Sequence, residues 1–250
     1  MAEVFAYGDG RVVKLDRPEW SGVSVFESDV LVRLAAAGLP VARSYGVVTI
    51  DDRCGVVLDR IAGPSLADLL AGATPAEAEG MAARFADLGT TINGTPGVGL
   101  PPLVERLGAE LAQSGLPTDE QAGLADLLAG LDDGRRGICH FDLHPENVLV
   151  GPDGWVVIDW LTVAEGPPLA DLARTLVLWG RRTDTPVVEF MRFLRRRGTE
   201  QRGADDARLD RWVRVVAGAR LAEGFGGEYA GWLRRVSRGE EVLSRLRHDD

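Results

Sequence analysis

The stretch ICHFDLHPENVLV, residues 138–150, holds two of the three histidines of a 250-residue chain. His140, Asp142, His144, Glu146 and Asn147 stand between apolar flanks, Ile138 on one side and Val148, Leu149 and Val150 on the other. A buried strand does not carry so many polar groups in succession, because each would need a partner away from water. A solvated loop does not begin and end in aliphatic residues. The polar groups are therefore held in place by a buried frame, which is what a chemical site requires.

The rest of the chain bounds what that site can be. A length of 250 residues suits one domain or a two-lobed one. Hydrophobic residues at 45% and charged residues at 26% give an ordinary globular balance. The formal charge is −10, unevenly spread. Residues 181–250 carry 16 arginines and 12 acids, which leaves 12 basic and 26 acidic residues, a net of −14, in 1–180. Such a body is a poor match for nucleic acid. No stretch approaches about 18 uninterrupted apolar residues, so no membrane partner is expected. The start MAEVFAYGDGR lacks the basic residues and apolar run of a signal peptide. Cys54 and Cys139 lie far apart with no CxxC spacing and read as reduced thiols. These features predict a cytoplasmic protein. The oligomeric state leaves no trace in the sequence.

One oddity of composition bears on the site. Of 28 basic residues, 27 are arginine and Lys14 is the single lysine. A chain that uses Arg wherever either cation serves has kept Lys here. Lysine is a compact point charge on a flexible stem, whereas arginine is a broad planar fork. The survival of Lys14 points to a position that needs the point charge.

Periodicity places Lys14 in context. EVFAY and RVVKL read as two strands joined by the turn Gly8-Asp9-Gly10, with Lys14 near the end of the second. VSVFESDVLVRLAAAGLP reads as a helix with Val25, Val30, Leu31 and Leu34 on its apolar face, stopped by Gly38 and Pro40. Glu27 lies in its first half. VARSYGVVTI and GVVLDRI read as two more strands joined by the turn DDRC, and Ser65 as the N-cap of a helix after Gly63 and Pro64. Helical patterns follow at about 75–93, 102–113 and 118–131. After the polar stretch come a turn at 151–154, a strand WVVIDW at 155–160, and helices to the end, with PPLADLARTLVLWG the clearest. Trp155, Trp160, Trp20, Trp179, Trp212 and Trp232 all read as core, and His248 as part of a polar tail.

At this point HFDLHPENVLV followed by VVIDW resembles the catalytic loop and metal-binding strand of the aminoglycoside phosphotransferase family. That family belongs to the protein-kinase-like superfamily, which includes choline kinases. The shared pattern is His-x-Asp-x4-Asn and then an Asp about a dozen residues on, here His140, Asp142, Asn147 and Asp159. The likeness runs back to Lys14, Glu27 and VVLDRIAGPSL, and forward to GPPLADLART. It implies an α+β, two-lobed kinase-like fold. Residues 1–62 would form a shortened antiparallel-sheet lobe with one helix. Residues 63–250 would form a larger helical lobe carrying the catalytic loop 138–150 and the metal strand 155–160.

The resemblance implies an ATP- and magnesium-dependent transfer of phosphate to a hydroxyl of a small molecule, an antibiotic or a metabolite. Phosphoryl transfer needs positioning and charge neutralisation more than covalent chemistry. Asp142 would orient the attacking hydroxyl and accept its proton. Asn147 and Asp159 would supply hard oxygen ligands to magnesium. Lys14 would contact the α and β phosphates and Glu27 would hold Lys14. The adenine edge would meet backbone groups at Asp59 and Ile61. His140 and His144 would pack the loop, and Asp171 would brace it.

Two other readings stand beside this one. A kinase-like binding module could keep the fold and lack turnover. Alternatively, His140, Asp142 and His144 alternate, so on a strand they would share one face and could bind zinc with Asp159. Two departures from the family also appear. Only 13 residues precede Lys14, so the loop that covers the phosphates is expected to be shortened or missing. The residue after His140, usually Gly in the antibiotic phosphotransferases, is Phe141. The arginines of 181–250 do not favour a polycationic aminoglycoside as acceptor.

Overall fold

A computed structural model describes residues 2–97, 99–240, 243 and 246. His248 lies outside these residues. The first elements are β1 (Ala2–Ala6), β2 (Arg11–Asp16), α1 (Val23–Ala36), β3 (Ser44–Ile50) and β4 (Arg53–Asp59). Helices α2 (Leu66–Ala71), α3 (Pro75–Asn93), α4 (Leu103–Ala112) and α5 (Thr118–Leu131) follow. Then come β5 (Gly137–Cys139), β6 (Val148–Gly151), β7 (Gly154–Val157) and β8 (Ala164–Gly166). The chain continues through α6 (Pro168–Trp179), α7 (Thr185–Gln201), α8 (Asp206–Arg220) and α9 (Gly227–Arg238).

The chain forms two compact units. One comprises residues 1–69 and 145–162, the other 70–144 and 163–250. The sequence reading drew its boundary at residue 62 and kept 145–162 with the helices. Backbone pairing gives the reason for the difference. Val157 N donates to Pro40 O at 2.8 Å, Val150 N donates to Pro64 O at 2.9 Å, and Ser65 bridges Leu149. The β6–β7 hairpin is thereby stitched into the first unit. Gly63 permits the approach: a Cβ there would lie 2.0 Å from Val150 O.

In the first unit the antiparallel order is β1-β2-β4-β3. The β3–β4 turn sets Asp51 and Asp52 both at positive φ, 48° and 62°, the two-residue geometry that matches strand twist. Val13, Leu15 and Val57 form a cluster backed by Val48 and Ile50. Lys14, between Val13 and Leu15, therefore points to the other face. There α1 buries Val30, Leu31 and Leu34, each contributing roughly 1.5–3 kcal/mol. Glu27 lies three, four and seven residues before them, so it shares the buried stripe. Val25, assigned to that stripe from the sequence, is 56% exposed, because it stands on the opposite side of the helix. Trp20, read as core, is also exposed, on a single turn of 3-10 helix before α1.

In the second unit α6 is buried almost all round: Leu169, Ala170, Leu172, Ala173, Leu176 and Val177 pack beside the buried polar groups of Asp171, Arg174 and Thr175. Phe85 of α3 meets Phe190 of α7 edge-to-face at 5.4 Å. Trp179, Trp212 and Trp232 are buried here, and Trp160 in the first unit. Thr74 and Glu77 close a capping box at the start of α3. No helix among the described residues is long and apolar enough to cross a membrane.

Candidate functional site

Strand register builds a cleft in the first unit. Val4 pairs with Lys14, and Val12 with Leu58. Paired and alternate residues share a face, so Ala2, Val4, Val12, Lys14 and Leu58 line one wall. The cleft measures about 450 Å³ and also takes in Glu27, Asp59, Ile61, Asn147, Leu149, Ile158 and Asp159. A mostly apolar slot with polar groups gathered among its walls is the form of a small-molecule site.

The polar groups converge on Lys14. Its Nζ donates to Glu27 Oε1 at 2.8 Å and to Asp159 Oδ1 at 2.9 Å. Burial alone would lower the Lys14 ammonium, but the carboxylates of Glu27 and Asp159 outweigh it and hold it above its ordinary value. Asp159 does not lie on a strand, as the reading of 155–160 expected. β7 stops at Val157, and Asp159 turns out at φ +63° before a single turn of 3-10 helix at Trp160–Thr162. Ile158 N donates to Asn147 O at 3.0 Å, which ties the chain beside Asp159 to Asn147. Asn147 and Asp159 are both oxygen donors, the type that suits a hard divalent cation.

Asp59 and Ile61 line the same cleft. The Asp59 carboxylate accepts from Tyr45 OH at 2.8 Å and from Arg43 N at 3.2 Å, so its side chain serves the sheet. Its amide donates to Arg43 O.

The remaining predicted residues form a braced loop in the second unit. His140 is fully buried, and its Nδ1 accepts the backbone N–H of Asp142 at 3.1 Å. Phe141 adopts φ +60°, left-handed backbone that bulky residues rarely take. A glycine would take this backbone without steric cost. Asp171, buried on α6, accepts Phe141 N at 2.8 Å through Oδ1 and Asn93 Nδ2 at 2.9 Å through Oδ2. One turn later Thr175 Oγ1 donates to Leu143 O at 2.7 Å. His144 Nε2 stands 3.8 Å from Asp142 Oδ2, and its ring stacks on Trp179 with centroids 6.3 Å apart.

The residues from 140 to 144 are thus not a strand, and His140 Nδ1 is taken by a backbone amide. The zinc reading lacks its geometric basis. Among the described residues, no group of three or more His, Cys, Asp or Glu converges as the zinc reading requires.

Sequence reasoning missed three members of the brace. Asn93 Nδ2 also holds Ile138 O at 2.9 Å, Thr175 holds Leu143, and Arg202 donates to Asn93 Oδ1 through Nε at 3.1 Å. The four-residue spacing of Asp171 and Thr175 puts both on one helix face and was a usable signal. Asn93 and Arg202 are 109 residues apart and carry no local signal.

Comparison with known proteins shows the family and the fold. The model of the phosphotransferase enzyme family (APH) matches residues 3–212. A thermostable mutant of aminoglycoside phosphotransferase APH(4)-Ia, solved as a ternary complex with AMP-PNP and hygromycin B, superposes with TM-score 0.66 at 18% identity. The match covers 98% of this chain and 94% of that one. Amicoumacin kinase hAmiN, in complex with AMP-PNP, Ca2+ and Ami, gives TM-score 0.63 at 15% identity, covering 100% and 90%. At these identities the likeness establishes the fold. No curated protein matches the sequence significantly.

Proposed function

Because this chain belongs to the phosphotransferase enzyme family, with a match over residues 3–212, we propose that it transfers the γ-phosphate of ATP to a hydroxyl of a small molecule, with magnesium as cofactor. The observation that carries the reading is Lys14 Nζ, held between Glu27 and Asp159 in the wall of the 450 Å³ cleft. A structural ion pair alone gives no reason for a cleft of that size around it. The nucleotide complexes of the two similar structures support a nucleotide as its occupant.

In this reading the apolar face of Val4, Val12, Leu58 and Leu149 takes the adenine, with backbone groups at Asp59 and Ile61 on its edge. Lys14 meets the α and β phosphates, and Glu27 keeps its ammonium aimed. Asn147 and Asp159 hold magnesium; their oxygens fit it, and one face of Asp159 is solvent-accessible. Bound there, magnesium neutralises charge on the phosphates. Asp142 orients the acceptor hydroxyl and takes its proton as the oxygen bonds to the γ-phosphorus and the bond to the β–γ bridging oxygen breaks, releasing ADP. His140, Asp171, Asn93 and Thr175 fix the loop that carries Asp142, and His144 packs it against Trp179.

The test is a thermal-shift titration with ATP and magnesium, followed by a phosphorylation screen over hydroxylated antibiotics and metabolites. Stabilisation by ATP that needs magnesium, and phosphate on an acceptor hydroxyl, are the expected results. No shift with ATP at millimolar concentration would end the reading.

A further inference from the structure

Strand β1 is an edge of the sheet in the first unit. It bonds to β2 on one side, and among the described residues no strand or bridge pairs with its other side. Tyr7 N donates to Arg11 O in the register of the hairpin, so Glu3, Phe5 and Tyr7 turn their backbone groups towards β2. Ala2, Val4 and Ala6 therefore turn theirs outward, as a row of unpaired N–H and C=O groups.

Such an edge is ordinarily blunted by a proline, a lysine, a bulge or a covering segment. The opposite edge, β3, is blunted: its register shifts between Ser44 and Val47, and Gly46 there takes φ +101°. β1 has none of these devices. Its sequence AEVFA carries no proline or lysine, and its register runs without a break from Ala2 to Ala6. Val4 and Phe5 are 61% and 48% exposed. Its one charge, Glu3, is drawn across the sheet to Arg53 at 2.7 Å and so is neutralised within the same copy.

The strand is also its own complement. An antiparallel copy about a two-fold axis through Val4 sets Val4 against Val4, Ala2 against Ala6 and Glu3 against Phe5. The outward groups of Ala2, Val4 and Ala6 then meet in hydrogen-bonded pairs, about six bonds in all. On the cleft face the row Ala2, Val4, Ala6 meets its own reverse, with a small residue on each side of the branched one. On the other face the two Phe5 rings stand diagonally across the seam, within reach of each other. Neighbouring registers are worse. An axis at Glu3 opposes two carboxylates. An axis at Phe5 runs Ala2 off the ladder into the turn at Gly8, where φ is +67°.

We propose that β1 is a homodimer interface: two copies of this chain join β1 to β1 about an axis through Val4, and their two sheets run on as one. Ala2 and Val4 line the cleft, so the seam joins the walls of the two clefts. The pairing needs no nucleotide and goes beyond the phosphotransferase reading without depending on it. Five residues make a short ladder, at the weak end of specific interfaces, and Kd is expected at roughly 10–100 µM.

Sedimentation equilibrium of the full chain, from about 1 to about 300 µM, reads the mass on either side of that value. Monomer should give way to dimer across the range. Ala6→Pro deletes one outward N–H and leaves the bonds between β1 and β2 in place, since proline is tolerated where the N–H faces away from the ladder. It should raise Kd at least about tenfold with the circular dichroism of wild type. A cross-link tests the register and covers the case in which Ala6→Pro does not fold. Cys54 is half-buried and Cys139 buried, so Cys54→Ser removes the accessible native thiol. In that background Val4→Cys should form a disulfide-linked dimer under mild oxidation, because residues paired on the axis lie about 5.5 Å apart. Phe5→Cys should not, because its diagonal partner is about 7–8 Å away. A monomer at every concentration would overturn the proposal. So would cross-linking at Phe5 in preference to Val4. A dimer unmoved by Ala6→Pro would also overturn it and place the contact on another surface, such as the exposed Val25 and Val32 of α1.

Discussion

Lys14 Nζ lies 2.9 Å from Asp159 Oδ1, although 145 positions separate the two residues. A cation that already bridges two carboxylates is placed by both, and its replacement tests the meaning of the single lysine. A guanidinium is wider and prefers forked pairing. Lys14→Arg should therefore bind ATP more weakly and turn over roughly 10²-fold more slowly, since a misplacement of about 1 Å costs that much. Lys14→Ala run beside it shows the loss of charge itself. If the Arg variant matches wild type in ATP affinity and kcat, the lone lysine is an accident of composition.

The same bridge makes a second expectation for Asp159. In the proposed reading Asp159→Ala would remove a charged oxygen ligand from a site with few protein ligands, and it leaves Lys14 with Glu27 alone. ATP binding should lose its dependence on magnesium. Calorimetry with ATP, with and without magnesium, reads this directly, and an unchanged dependence would take Asp159 out of the metal role.

Asp142 should separate chemistry from binding. Asp142→Asn keeps the shape of the side chain, and the hydrogen bond from its backbone N–H to His140 is untouched. The fold and ATP affinity should persist while turnover falls about 10²–10⁴-fold, the range for loss of a positioned base. Turnover within a few-fold of wild type would assign the proton to another group.

How much of this could be read from the sequence follows from the range of the interactions. The β1–β2 and β3–β4 hairpins, α3 and α6 were legible because turn residues and apolar periods are local. The contact of His140 with Asp142, and of Asn147 with the chain beside Asp159, was legible because each pair lies within one loop or one hairpin. The end of β7 at Val157 was not, since Ile158 and Trp160 continue the apolar alternation while Asp159 breaks the backbone pattern at φ +63°. Val25 was misplaced because it is as apolar as the members of the buried stripe, although it stands on the opposite side of the helix. The Asn93–Arg202 brace joins residues that only tertiary packing brings together.

Cys139 offers a test of the frame behind the loop. It is fully buried, and burial pushes its thiol well above the usual cysteine value. A raised value keeps the thiol neutral, so at pH 8 it presents almost no thiolate to a disulfide reagent. One thiol, Cys54, should react in the native protein and the second only after denaturation. Rapid reaction of two thiols in the native state would contradict a closed frame around β5.

Phe141 sets two energies against each other. Its left-handed backbone costs about 1–2 kcal/mol for a residue with a Cβ. Its ring is 2% exposed and packs under Arg106 and Arg174. Removing a buried aromatic ring costs about 3–5 kcal/mol. Phe141→Gly relieves the first, incurs the second and adds the entropy of a freer unfolded chain, so a net loss of about 3 kcal/mol is expected. Phe141→Ala loses the ring and keeps the backbone strain, offset in part by the lower entropy of its unfolded chain. It should be the less stable of the two by about 1 kcal/mol. Urea midpoints of the three proteins give the order wild type, Gly, Ala. An Ala variant more stable than the Gly variant would mean that the +60° backbone is not a cost, and a Gly variant more stable than wild type would mean that the ring contributes less than its strain.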